Sequence, residues 1–165
     1  MGAATGRADL ESLRKEAARL REENGCLEKQ NRQTEKEILQ MKAQGAQAQA
    51  RNVPARPAGS FRLYSAIFPE PMDPAGLRAC ADGIRRGDPE AIIFLCDPQG
   101  FCVATSGGAA RMKGITAQEM LKLSTGVAGG SGGGRPELAQ GRLREPGRFD
   151  EVRRRLEQLI QERSR

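Results

Sequence analysis

From Leu10 onward, apolar side chains recur every three or four residues. Read as heptads, the a positions are Leu10, Ala17, Asn24, Asn31 and Ile38, and the d positions are Leu13, Leu20, Leu27, Thr34 and Met41. A 3.5-residue period held over four heptads, with leucine dominating d, predicts a coiled-coil helix over residues 1–43. Leu10, Leu13, Leu20, Asn24, Leu27, Asn31 and Ile38 form its dimerisation seam. Two successive asparagines at a weaken that seam and favour a two-stranded pair in fixed register. In a parallel self-pair, Asp9–Arg14, Glu16–Arg21 and Glu37–Lys42 attract across the g–e′ positions, while Glu23–Glu28 repel. Gly25 costs about 1 kcal/mol of helix propensity. The same stripe could instead pack on the chain's own domain or on a neighbour, and the pattern leaves that open.

The three-and-four spacing ends near Gly45. The segment AQAQARNVPARPAGS follows, and its Pro54, Pro57 and Gly59 read as a hinge or linker over residues 44–59. The apolar residues able to build a core come afterwards: Phe61, Leu63, Ile67, Phe68, Ile92, Ile93, Phe94, Leu95 and Phe101. Residues 60–165 are therefore the globular part. FRLYSAIF reads as a strand. Asp73 and Pro74 read as an N-cap and first helical residue, ahead of an apolar face of Leu77, Cys80, Ala81 and Ile84. AIIFLC and FCVATS flank a turn at Asp97-Pro98-Gln99-Gly100, the signature of a hairpin. Thr116 to Glu119 makes a capping box, and Gly126 stands where that helix should stop. A last helix begins near Asp150, with Val152, Leu156, Leu159 and Ile160 on one side. The order is strand, helix, strand, strand, helix, glycine loop, helix. The fold class is α+β: a long N-terminal helix followed by a small domain of sheet and helices.

Composition sharpens this by exclusion. The sequence has no histidine, so a Ser-His-Asp triad, a Cys-His dyad and a His-bearing zinc site are all ruled out. Cys26, Cys80, Cys96 and Cys102 form no CxxC pair, which leaves three buried thiols and one on a helix surface. No catalytic residue, metal or cofactor is expected. No apolar run reaches the length of a membrane span, and no secretory or transit pattern stands at the start. The expectation is a soluble, intracellular protein, with the cytoplasm first and the mitochondrion open. The net charge of +6 grows toward the C-terminus, where every positive charge is an arginine. Arginine suits forked contact with phosphate, although this balance alone does not require a polyanion.

The stretch GGSGGGRPELAQG, residues 129–141, carries the sharpest question. As a spacer it would join separately folded units. Here it lies between a capped helix and a terminal helix too short to fold alone, so its ends are pinned. Pinned glycines let backbone N–H groups approach a ligand and form anion-binding concavities. Arg135 follows directly, and Pro136 fixes the next backbone step, opening a helical turn over residues 137–139. On physics alone, spacer and binding loop remain equally open.

Following the helix TAQEMLKLSTG, this string closely resembles the glycine-rich signature of the C-terminal domain of alanyl-tRNA synthetases. The same domain, DHHA1, accompanies DHH-type phosphoesterases. Gly129, Gly130, Gly132, Gly133, Gly134, Arg135, Pro136, Leu138, Ala139 and Gln140 fit the family pattern position by position. The resemblance covers residues 60–165 in motif and residues 8–43 in character only. It implies a device for dimerising and for contacting the outer corner of the L-shaped tRNA, without chemistry of its own. In the phosphoesterases the glycine run ends in histidine. Arg135 stands at that place here, which favours the synthetase branch. The aminoacylation core and the editing domain have no counterpart in this chain.

The expected function is thus a non-catalytic module binding tRNA or other structured RNA by backbone and shape, acting as a homodimer. Gly129, Gly130, Gly132, Gly133 and Gly134 with Arg135 would meet phosphate or ribose, and Gln140 joins them from the family pattern. Arg111, Lys113, Arg142, Arg144, Arg148 and the run 153–155 would widen the electrostatic footprint. One tyrosine and no tryptophan leave little for base stacking, so folded RNA suits better than single strands. Two alternatives stand beside this. One is a coiled-coil protein-interaction adaptor with a vestigial globular part. The other is a phosphorylated small ligand held by the glycine loop.

Overall fold

In the computed structural model the backbone is described for residues 3–165, and the side chains for all of these except residues 3–8, 43 and 47. The chain divides into two compact units, one ending at Met41 and one running from Lys42 to Arg165. Helix α1 (Ala3–Arg51) is continuous through Gly25 and Gly45. In the first unit the seam leucines and isoleucine are uncovered: Leu10, Leu13, Leu20, Leu27 and Ile38 are between 47% and 63% exposed. Stability of an isolated helix comes mainly from burying such a face, so this stripe is unsatisfied in a single chain.

The second unit is a six-stranded sheet in the order β1-β2-β3-β4-β6-β5. Its strands are β1 (Ala55–Ala58), β2 (Phe61–Ile67), β3 (Ile92–Cys96), β4 (Phe101–Thr105), β5 (Gly130–Gly134) and β6 (Leu138–Leu143). Only β2 and β3 run parallel, joined by helix α2 (Pro74–Gly87); every other neighbour is antiparallel. Such a parallel pair needs a crossover of this kind. Helix α3 (Gly108–Met112), helix α4 (Ala117–Ala128), a 3-10 turn at Pro146–Arg148 and helix α5 (Phe149–Ser164) complete the unit.

Side chains alternate across the sheet and build two cores. On one face, Leu63, Ile92, Phe94, Cys96, Cys102 and Ala104 pack under α4 and α5, with Phe94 stacked on Phe149 at 6.0 Å between ring centroids. On the other, Ile93, Leu95 and Val103 pack under Leu77, Cys80, Ala81 and Ile84 of α2. Each fully buried leucine or isoleucine contributes roughly 1.5–3 kcal/mol. Strand β3 is buried on both faces, which is why AIIFLC shows no alternation.

Several expectations hold in detail. Asp73 caps α2 by accepting the Gly76 N–H at 2.8 Å, and that bond holds its carboxyl below the usual range. Thr116 caps α4 by accepting the Glu119 N–H at 3.2 Å. The Glu119 side chain does not reach back to complete the box. It grips Arg163 of α5 instead, at 2.5 and 2.7 Å.

Others are corrected. The segment 44–59 is not a linker: α1 continues to Arg51, Ala46, Ala50 and Val53 are buried, and residues 55–58 form β1. Alanine-rich polar sequence propagates a helix well, and its alanines supply just enough apolar surface to dock. Gly126 does not end α4, which passes to Ala128. Gly129 ends it, taking φ 65°, a conformation glycine adopts without strain. Ile67, expected in the core, is 42% exposed near the end of β2. The largest correction concerns the glycines themselves. Gly130–Gly134 form strand β5, and residues 138–143 form β6 rather than a helical turn.

Candidate nucleic-acid interface

Strand β5 lies at one edge of the sheet, paired with β6 on one side only. Pro136 and Glu137 make the turn between them. Arg135 and Leu138 close it by exchanging both backbone hydrogen bonds, at 2.8 and 3.1 Å. In an antiparallel pair such residues alternate with non-hydrogen-bonded ones. Counting back along the register, Gly133↔Gln140 and Ser131↔Arg142 are hydrogen-bonded pairs. Arg144 then donates to the Gly129 carbonyl at 3.1 Å, which fits the same alternation. Gly130, Gly132 and Gly134 are therefore the residues whose N–H and C=O groups face outward, spaced about 6.8 Å apart. The Gly134 carbonyl is taken by the Gln118 side chain at 2.5 Å. This replaces the expected cradle of bare amides. An edge strand presents donors and acceptors in alternation, and it suits a partner that both gives and accepts a hydrogen bond better than a bare anion.

Why these positions are glycine follows from how closely the backbones approach. A Cβ on Gly132 would lie 2.5 Å from the Gly141 Cα, 2.6 Å from the Gln140 carbonyl oxygen and 2.7 Å from a Leu121 methyl of α4. One on Gly130 would collide with the Arg142 carbonyl, and one on Gly134 with the Leu138 carbonyl. Gly133 differs, with nothing within 4 Å of its Cβ position. The glycines that face α4 let the helix sit down on the strand.

Among the expected site residues, Arg135, Arg142 and Arg144 do gather along this strand and its partner. Arg135 lies at the turn end and is exposed, as is Arg144 beyond the other end. Neither makes an ion pair among the described residues. Arg142 sits over the Phe101 ring at 4.8 Å and donates to the Gln99 carbonyl at 3.3 Å. Arg111 is turned to the Ser106 carbonyl at 2.7 Å, near the β5–β6 turn, because the Ser106 N–H is bonded to Glu137. Arg148 is engaged by Glu151 at 2.6 Å and by the Val127 carbonyl. Lys113 is not at the strand: it reaches Ser164 at the end of α5. Within the run 153–155, Arg153 pairs with Asp150 at 3.0 Å, while Arg154 and Arg155 are exposed.

Beside this edge, on the face that carries α2, the sheet is only partly covered. A groove of about 310 Å³ is lined by Pro74, Leu77, Phe101, Ser131, Gln140 and Arg142. Cys102 also borders it, but burial pushes its thiol up to about 12, so it stays neutral and unreactive. The Gln140 Nε2 is buried and has no hydrogen-bond partner among the described residues. Ser131 and Gln118 were not singled out from sequence, and Phe101 and Gln99 were read only as a core residue and a turn residue. Only their positions next to the glycines and the hairpin turn could have pointed to them.

Residues 62–162 match the family model described as the DHHA1 domain. The chain belongs to the DHHA1 domain family. Among curated relatives it is similar to the alanine–tRNA ligase of Leptospira interrogans, 31% identical over 86 residues, which is 50% of this chain and 9% of the relative. The alanine–tRNA ligase of Shouchella clausii is 28% identical over 111 residues, 64% of this chain and 13% of the relative. The chain thus spans about a tenth of the length of these relatives. Among solved structures, the C-Ala domain of Aquifex aeolicus alanyl-tRNA synthetase superposes with a TM-score of 0.60 at 28% identity, covering 66% of this chain and 98% of that one. RecJ from Thermus thermophilus, at 21% identity and a TM-score of 0.59 over 75% of this chain and 19% of that one, shares the fold. No helix among the described residues is long and apolar enough to cross a membrane.

Proposed function

We propose that this chain is a non-catalytic module that binds structured RNA of the tRNA type along the β5 edge and pairs with a second copy through α1. The observation that carries the RNA reading is an open glycine strand whose outward donors and acceptors are flanked by Arg135 and Arg144, in a domain similar to C-Ala over that domain's whole length. Ribose 2′-hydroxyls both donate and accept, matching the alternating edge, while the arginines meet phosphates. Self-pairing rests on the exposed heptad stripe of α1 and its asparagines at Asn24 and Asn31. The setting would be a compartment that holds tRNA.

Gel-shift titration with unfractionated tRNA at 50 and 200 mM salt tests the RNA reading. Binding should weaken by tenfold or more across that range, as counterion release requires. An RNA hairpin should bind better than a DNA hairpin of the same sequence if riboses meet the edge. Absence of any shift at the lower salt would leave the adaptor reading in place. Sedimentation of Leu20→Lys against the unchanged chain tests the pairing, with a shift from dimer to monomer expected.

A further inference from the structure

The groove between α2 and the β6–β5 margin combines three features that the edge strand lacks. It is mostly apolar, with Pro74, Leu77, Phe101 and Val103 on its walls. One wall ends in a planar cation, the Arg142 guanidinium held over Phe101 at 4.8 Å. The half-buried Gln140 borders it, and its Nε2, itself covered, has no hydrogen-bond partner among the described residues. A buried donor without a partner is costly, and each one in a native structure calls for an explanation; Ser65 Oγ and Thr105 Oγ1 are also unpartnered, but only Gln140 borders a groove. An apolar groove with a guanidinium plane and one unmet donor fits a planar heterocycle carrying acceptors on its edge.

We propose that this groove takes one unpaired nucleobase of the RNA whose backbone lies along β5. The base stacks against the Phe101–Arg142 pair, and an edge acceptor receives the Gln140 N–H. Arg142 then serves both elements, because Ser131 of β5 and Arg142 of β6 are register partners that also line the groove. Bases splayed from loops stack readily on arginine planes, whereas bases in a duplex are not free to enter. This rests on the RNA reading above and adds to it a preference for RNA that offers an unpaired base.

The test compares an RNA hairpin with an open loop against a fully paired, blunt RNA duplex of equal charge, by fluorescence anisotropy. The unchanged chain should favour the hairpin by about tenfold. Gln140→Leu, and separately Ser131→Phe, which plugs the groove from an exposed position, should bring that ratio close to one. Thermal unfolding of Gln140→Leu should show no loss of stability, since a residue kept for packing would show one. Equal affinity of the unchanged chain for hairpin and duplex overturns the base pocket while leaving RNA binding intact. Binding to neither RNA overturns the RNA reading itself. If free nucleoside monophosphates abolish the hairpin preference at micromolar concentration, the groove is a nucleotide site and the RNA source of the base is wrong.

Discussion

The sheet has two edges, and they are built on opposite plans. Strand β1 is four residues long and carries Pro57 at its third position. The hairpin to β2 turns through Gly59 and Ser60, so its closing pair is Ala58↔Phe61 and Pro57 falls one step away. A two-residue hairpin closes on a hydrogen-bonded pair, which puts Pro57 where its backbone nitrogen faces outward. The edge thereby lacks a donor where a foreign strand would seek one, a common defence. Strand β5 has no such defence. Its five residues include four glycines and all are exposed; Gly130 and Gly132 present both backbone groups to the outside, and Gly134 its N–H, its carbonyl being taken by Gln118. Within one sheet, then, one edge is closed to pairing and the other left open with arginines at both ends. The unprotected edge, at the opposite side of the sheet from the protected one, is the geometric basis of the RNA reading proposed above.

The most severe way to break this contrast is to remove the glycine that lets β5 lie under α4. Gly132→Val places methyl groups into the Gly141 and Gln140 backbone and Leu121. Overpacking of this kind costs roughly 1–3 kcal/mol, and here the obstacle is backbone that has nowhere to move. Unfolding should show a loss of at least 2 kcal/mol. Gly133→Val is the matched control, because its Cβ position is empty for 4 Å. Replacing a strand glycine there should raise stability by about 0.5 kcal/mol. If both substitutions cost the same, close approach to α4 is not the reason for the glycines.

How much of this was legible beforehand depends on what each residue type can signal. Caps and turns were readable because Asp73-Pro74, Thr116 and Asp97-Pro98-Gln99-Gly100 act locally, through bonds within a few residues. The central strands were readable because β3 and β4 are apolar enough to leave no other choice. The strand β5 was not readable. Glycine has no side chain to show alternation, and its strand propensity is poor, so β5 exists only because β6 and α4 are in place to receive it. For the same reason the groove was hidden: Ser131, Gln140 and Phe101 are separated in sequence and meet only across the β4–β6–β5 register. The docking of residues 44–53 was hidden by composition, since Ala46, Ala50 and Val53 look like linker until a surface is available to them.

A second test sharpens the contrast through charge. Reversing Arg135 and Arg144 together places two acids at the ends of the open edge, while Arg56→Glu places one at an exposed position of the closed edge. The double reversal should weaken tRNA binding by tenfold or more and reduce the slope of log affinity against log salt by about two, one per phosphate contact removed. Arg56→Glu should change affinity by less than threefold. Comparable losses at both edges would mean that RNA binding follows net charge and not the glycine strand.

The smallest effect is expected at Pro57. Pro57→Val restores an outward N–H to β1 and so gives the closed edge the group that β5 displays. Two contributions to stability oppose each other. Losing proline frees the unfolded chain and costs about 0.4–1 kcal/mol, while valine regains a comparable amount as a better strand residue. Net stability should change by less than about 0.5 kcal/mol, and tRNA affinity should not move, because in the reading above RNA is held by β5 with Arg135, Arg144 and the groove, none of which this change touches. What should change is self-association at high protein concentration, read by sedimentation on a Leu20→Lys background so that pairing through α1 does not mask it. A loss of more than 1 kcal/mol would show that Pro57 holds β1 in place. A gain in RNA affinity would show that any unblocked edge suffices, and the distinction between the two edges would then rest on backbone exposure alone.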